Sequence, residues 1–440
     1  MQFKTWEIGM PEQPDDWKVG LQRRVVDEID HVIHVFRPSP GEGVEIKAAR
    51  SENRVDHLYA EGQILVRDEY LGQILEILEL PDEPELRGDG RIRRVIAGVI
   101  LLTLDQSQPA ALDALDLIDQ RLGRGLATPD HVLTVSPTGG ICPATEPQQA
   151  YEAIEPYPSV SHGDGGAGVL IYMDDTGLLK DAADTHLWLA GVQGDLDPLP
   201  SEGPPGTQPI PPYTGHGTFV AGVARCMAPA ADIIVTNAFS IAGSELESNW
   251  IPRLESALGL GVDIFHLTIA AHSRHDFPLI AFREWLKHLR EHGGAVCVVA
   301  AGNDGSRRPT WPAAFSDVIS VGALGGDWRG RATFSNFGSW VDVYAPGRDL
   351  INAYATGTYT CHVDPYTGDD RKFYGMAKWS GTSFSTPIVT GLIASRMSST
   401  GENARQAAAA VLAEARSQAI PGVGPVLWPG GYSHPMTPLA

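Results

Sequence analysis

Apolar positions in the second half of the chain gather into short unbroken runs separated by stretches with helical spacing. Val169-Leu170-Ile171-Tyr172-Met173, Asp232-Ile233-Ile234-Val235 and Ala295-Val296-Cys297-Val298-Val299 show no polar alternation. That is how a strand reads when both of its faces are buried. Between them, Trp250 to Leu260 and Ile280 to His292 place apolar residues three and four apart, the stripe of an amphipathic helix. Strand and helix in alternation predict an α/β unit with a mainly parallel sheet wrapped by helices. In such sheets the chemistry sits beyond the carboxyl ends of the strands, so the residues that follow these runs are the candidates for function.

A second pattern occupies residues 61–136. Gln63-Ile64-Leu65-Val66 reads as a strand and Tyr70 to Leu78 as a helix, followed after a polar turn by the apolar run Arg94 to Leu102. Ala110 to Leu122 reads as a helix and His131 to Val135 as a strand. The order predicts a small βαββαβ, ferredoxin-like α+β sandwich. Residues 1–60 form an extension of unclear structure in which Asp30 to Phe36 alternates like a strand. Pro, Gly, Ser and Thr dominate from Pro137 onward and mark a linker over 137–164. The larger unit then runs over 165–420, with a Pro/Gly-rich tail at 421–440.

Charge narrows the partners. Acidic residues outnumber basic ones 54 to 33, for a net charge of −21, a field that repels phosphate backbones and anionic bilayers. Neither nucleic acid nor a membrane is expected as a partner. The first residues lack a basic region followed by an apolar run, and no uncharged stretch is long enough to cross a bilayer. Cys142, Cys226, Cys297 and Cys361 lie far apart with no CxxC pair, which fits reduced thiols in a cytoplasm.

Three segments carry the chemistry: Asp174-Asp175-Thr176-Gly177 after the first apolar run, Thr214-Gly215-His216-Gly217-Thr218, and Ser380-Gly381-Thr382-Ser383-Phe384-Ser385-Thr386-Pro387. A serine hydroxyl is a poor nucleophile at neutral pH. It needs a base to take its proton and a carboxylate to fix that base. Singly, Ser383 reads as a surface or capping serine and His216 as a loop histidine; their joint occurrence in order is what carries weight. The order Asp, His, Ser and the segments themselves resemble the three signatures of the subtilisin family of serine peptidases. Ala300-Ala301-Gly302-Asn303 resembles that family's oxyanion segment. Trp311 to Phe315, Ser335 to Gly338 and Tyr344 to Gly347 resemble its supporting blocks. The likeness covers about 165–400. The α/β-hydrolases differ, with Gly-x-Ser-x-Gly and the order Ser, Asp, His, and sedolisins place acids where His216 stands.

The resemblance implies a subtilisin-like three-layer fold and a serine endopeptidase acting on peptide or protein substrates through an acyl-enzyme. It implies Asp175, His216 and Ser383 as triad and Asn303 as oxyanion donor, with no cofactor needed. Pro387 is expected early in the helix after Ser383, where its missing N–H costs least. Thr268-Ile269-Ala270-Ala271 stands where the family usually has Ser-Leu-Gly-Gly, so Thr268, Ile269 and Ala270 are expected to bind substrate backbone, with methyl groups narrowing the cleft. Ala301, Gly302 and Asp304 are expected near the primary pocket, where Asp304 would favour a basic side chain. The unit at 61–136 resembles the propeptide that assists folding and then blocks the site. Its tail beyond Val135 would enter the cleft, with self-cleavage between about 137 and 168.

Other readings stay open: a dedicated peptide-maturing protease or transpeptidase, a catalytically silent peptide-binding module, and a constitutive accessory domain in place of the propeptide. Asp174 is expected to have no chemical role. Asp195 and Asp197 read as a solvated loop, with structural calcium possible but not legible. His272 and His275 read as loop histidines and not a metal pair.

Overall fold

The computed structural model describes residues 44–430, apart from 52–53, 106, 136–143, 151–152, 154, 198, 200–207, 240–242 and 363–364, together with Ile33. Apart from Ile33, the alternating run at 30–36 and the tail from 431 lie outside the described residues.

The apolar runs of the larger unit form the predicted sheet. Strands β7 (Leu170–Asp175), β8 (Gln193–Gly194), β9 (Asp232–Asn237), β11 (Ile264–Leu267), β12 (Val296–Ala300), β13 (Ile319–Leu324) and β14 (Val343–Pro346) lie in the order β14-β13-β12-β11-β7-β9-β8. Every pairing among them is parallel. Parallel neighbours need a crossover, and helices supply it. On one face lie the helices His216–Met227 and Thr382–Thr400; on the other lie Glu247–Leu258 and Ile280–Glu291. Two cores result, one around Val220, Phe384 and Ile388 and one around Trp250, Phe282 and Trp285, all fully buried. This is the three-layer α/β arrangement that the resemblance implies.

The small unit begins earlier than the sequence suggests. Strand β1 (Ile46–Ser51) pairs with a long β2 (Arg54–Arg67), so the boundary expected at residue 61 falls inside a strand. The apolar run from Arg94 to Leu102 holds the two middle strands of the expected order. It folds into a hairpin, β3 (Ile92–Ile96) and β4 (Val99–Thr103), turning at Ala97-Gly98, where Gly98 has φ 85°. Only a residue without a Cβ adopts that conformation cheaply. With helices Leu71–Ile77 and Ala111–Leu122 and strand β5 (Ala127–Thr134), the order from β2 onward is β-α-β-β-α-β, with a short extra helix at Glu83–Gly88.

Alternation in β2 and β4 divides the burial. Ile64, Val66, Ile100 and Leu102 face the unit's own helices, while Leu65, Val99 and Leu101 join the core around Trp250 and Trp285. Both faces of this sheet are therefore covered, the second by helices 247–258 and 280–291 of the large unit. The sheet also continues across the boundary. Strand β10 (Ser244–Leu246) pairs antiparallel with β5, Ser244 opposite Thr134 and Leu246 opposite Val132.

Candidate active site

Strand β7 ends in two acids whose side chains diverge, because successive residues of a strand point to opposite faces. Asp174 turns toward the helix 247–258, where it accepts from Trp250 Nε1 at 2.7 Å and Thr236 Oγ1 at 2.5 Å. Burial pushes its carboxyl above the ordinary range against those two donors. Asp175 turns toward the helix that opens at His216. It takes three hydrogen bonds: from His216 Nδ1 at 2.6 Å, Thr268 Oγ1 at 2.6 Å and its neighbour Thr176 N at 2.8 Å. Burial alone would raise its pKa, but the charge and hydrogen bond of His216, with the other donors, hold it below the ordinary value. A carboxylate so held accepts only, so Nδ1 carries the proton and the lone pair sits on Nε2.

His216 opens its helix behind Gly215, which has φ 85°. The next residue must also be glycine, since a Cβ at Gly217 would stand 2.4 Å from the Gly177 carbonyl oxygen. The imidazole lies between Trp379, edge-on at 5.6 Å, and Phe384 at 5.3 Å. Ser383 sits in the first turn of the helix 382–400, whose N-terminal N–H groups point outward from the sheet's carboxyl end. Ser383 Oγ and His216 Nε2 are both buried, and neither has a hydrogen-bond partner among the described residues. Pro387, expected early in this helix, lies well inside it. It falls past the first turn and leaves the Ser383 carbonyl without the i+4 donor.

Asn303 follows β12. Its Oδ1 accepts from Thr382 N at 2.9 Å and Thr382 Oγ1 at 3.0 Å. Its oxygen is thus held by the serine loop, and the amide nitrogen takes no part in either bond. Ala301 and Gly302 are fixed behind it by Asn336 and Thr382, Gly302 N donating to Thr382 Oγ1 at 3.1 Å. Asp304 is not a bare charge. Its Oδ2 accepts from Asn336 Nδ2 at 3.1 Å and lies 3.5 Å from His272 Nε2.

Thr268, Ile269 and Ala270 follow β11, and the chain's own segment already pairs with the last of them. Thr134 and Ala270 exchange reciprocal backbone bonds, Thr134 N to Ala270 O at 3.1 Å and Ala270 N to Thr134 O at 2.9 Å. Val135 N donates to Gly243 O at 2.9 Å. The segment is thus a strand between the 243–246 edge and Ala270. Beyond 136–143, Ala144 N donates to Ser380 O at 3.0 Å.

The sequence matches the subtilase family model over residues 166–421. The chain belongs to the subtilase family. It is 32% identical over 257 residues to a thermophilic serine proteinase of Bacillus sp. (strain AK1), a match covering 54% of this chain and 54% of that protein. It is 30% identical over 271 residues to thermitase of Thermoactinomyces vulgaris, covering 59% of this chain and 84% of the relative. The chain thus spans about half the length of the first relative and most of the second. Among solved structures, fervidolysin from Fervidobacterium pennivorans, a keratinolytic enzyme related to subtilisin, superposes with a TM-score of 0.53 at 17% identity, over 84% of this chain and 60% of that one. That share exceeds the subtilase domain, so the likeness of fold reaches into the small N-terminal unit.

Asp197, read from sequence as part of a solvated loop, is 6% exposed and lies against the triad. Its position follows from a short parallel bridge between Leu178 and Leu196, a contact with no sequence signature. His266 on β11 is likewise buried beside Asp175, its Nδ1 2.9 Å from Thr390 Oγ1, and burial lowers its pKa to about 3. His272 and His275 do not meet at one site. His275 lies near Asp116 and Asp119, whose carboxylates the Arg274 guanidinium already bridges at 2.5 and 2.8 Å. No described helix is long and apolar enough to cross a membrane.

Proposed function

We propose that the protein is a serine endopeptidase made as a self-inhibited precursor, with its N-terminal unit as intramolecular inhibitor. In this reading Ser383 Oγ attacks a peptide carbonyl while His216 Nε2 takes its proton, and Asp175 stabilises the imidazolium. Negative charge that develops on the carbonyl oxygen meets the Asn303 amide and the Ser383 N–H, each donor worth roughly 3 to 4 kcal/mol. His216 then gives its proton to the leaving amine. Water, activated by the same base, releases the acyl group. Thr268, Ile269 and Ala270 receive the substrate as an added strand, and Ala301, Gly302 and Asp304 border the primary pocket. No cofactor takes part in these steps, and structural calcium stays a separate question for the peptidase unit.

The observation that carries the precursor reading is the strand of the chain's own Thr134 and Val135 between Gly243 and Ala270, with Ala144 tied to Ser380. A chain anchored on both sides of the serine loop competes with any substrate for the same backbone donors. Three buried, unpaired cysteines, Cys226, Cys297 and Cys361, support a cytoplasmic setting. A dedicated maturing protease or transpeptidase would use the same acyl-enzyme, and generic casein separates it, since only the endopeptidase degrades it.

Intact mass after treatment with a fluorophosphonate tests the reading. The wild type gains one adduct and the Ser383→Ala chain none. Any self-cleavage falls between Val135 and Ala144, which overlaps the N-terminal end of the window expected from sequence. No adduct on either protein, with both at full length, would mean a locked precursor or a silent binding module.

A further inference from the structure

A third buried carboxylate stands behind the triad and takes no part in the steps above. Asp197 Oδ2 accepts from Gly215 N at 2.7 Å and from Thr176 Oγ1 at 2.9 Å. Thr176 Oγ1 in turn accepts from Gly217 N at 3.1 Å. The N–H groups of the two glycines flanking His216 are therefore both tied to one carboxylate, the first directly and the second through one hydroxyl. Gly215 occupies the N-cap with no side chain of its own, so the carboxylate that faces this helix N-terminus comes from a different segment, where the helix dipole favours it. The segment is itself fixed, because Asp197 N donates to Leu178 O at 2.7 Å and Leu178 N to Asp195 O at 2.8 Å. The strand that leads into it, β8, pairs with β9, which in turn lies beside the β7 that carries Asp175.

We propose that Asp197 is a positioning residue for the triad: its carboxylate clamps the backbone on both sides of His216 and sets the charge that the imidazole meets. The inference rests on the serine-peptidase reading of the site.

The charged groups facing Asp197 are Asp175 and His216. Asp195, two residues back, turns instead to Asn237 N at 3.0 Å, and His266 faces Asp175 from the far side. Burial first, and then the charge of Asp175, raise the Asp197 carboxyl to about 7, against the hydrogen bonds from Gly215 and Thr176. Asp197 and His216 lie close enough for the charge of each to act on the other. An ionised Asp197 attracts the imidazolium and favours its protonated form. Removal of that charge must move the imidazole's titration to lower pH. A carboxylate that only filled space would leave it unmoved.

The test uses the full chain carrying Ser383→Ala, which cannot cut itself. The proton between His216 Nδ1 and Asp175 gives a low-field NMR resonance whose position follows the charge of the ring. With Asp197→Asn added, its inflection is expected to fall by roughly half a pH unit or more, and Asp197→Glu is expected to restore it. An unmoved inflection in a folded Asp197→Asn chain overturns the proposal. Should that variant not fold, the resonance in the Ser383→Ala chain decides alone: two coupled inflections support Asp197, and a single one overturns it. Labelling of the wild type by fluorophosphonate separates the two failures. A chain that labels but shows no shift loses only the role of Asp197, whereas one that never labels loses the peptidase reading as well.

Discussion

His216→Ala is expected to slow acylation of Ser383 roughly a millionfold, the scale set by removing the base from a serine triad that acts as a unit. The reason lies in the observed geometry. Asp175 is saturated by three donors and cannot itself reach the serine, so no second base stands in when the imidazole is lost. The buried His266 is the nearest other imidazole on the Asp175 side, but desolvation holds it neutral and its Nδ1 is engaged with Thr390. The double variant His216→Ala, Ser383→Ala should therefore lose no more than either single one. Hydrolysis of a chromogenic peptide by purified chain, with fluorophosphonate labelling alongside, measures it. Losses that multiply would mean that the two side chains act independently and that the triad reading is wrong.

How far this site was legible follows from how local each contact is. Asp175, His216 and Ser383 stand in short segments rich in glycine and small residues because close approach demands them. Gly217 has no room for a Cβ, and Gly215 needs its positive φ. Constraints of that kind are written into neighbouring residues, so the sequence displays them. Asp197 obeys no such local rule. It reaches Gly215 and Thr176 only because 195–197 pairs alongside 176–178, and an aspartate in a polar stretch with Pro198 after it reads as a loop. The position of the turn at Ala97-Gly98, between the two strands that the order requires, is unmarked for a different reason. Val95, Ile96, Val99 and Leu101 are all buried against the large unit, so the polar break that marks a turn in a free-standing sheet is absent. The same continuous run of apolar residues was, in hindsight of the packing, the trace of a second covered face.

That covered face supplies the other large effect. Leu101→Asp is expected to raise the rate of fluorophosphonate labelling of the full chain roughly a hundredfold or more, since burying an unpaired carboxylate costs several kcal/mol and each 1.4 is tenfold. Leu101 is 5% exposed and packs in the core shared with Trp250, Phe282 and Trp285, while the unit's own core is built on Ile100 and Leu102. The substitution therefore strikes docking before it strikes folding of the small unit. Protons are a poor substitute for it. His57 and His131, buried at this boundary, have pKa values lowered by desolvation to about 4 and about 3. Asp130, which caps Ser248 N at 2.9 Å, and Glu247, which accepts from Ala281 N at 2.7 Å, are raised by burial to about 7. The histidines favour docking above 6.5 and lose it as pH falls through their lowered values; the acids favour docking below their ordinary values and lose it as pH rises through about 7. Between pH 4.5 and 6.5 the two slopes oppose each other. The rate of labelling in the wild type, corrected for the intrinsic titration of the nucleophile, should be nearly flat there, and the Leu101→Asp chain should lie above it throughout. An unchanged rate in that variant would mean that the segment at Thr134 and Val135 holds the cleft without help from the sheet's second face.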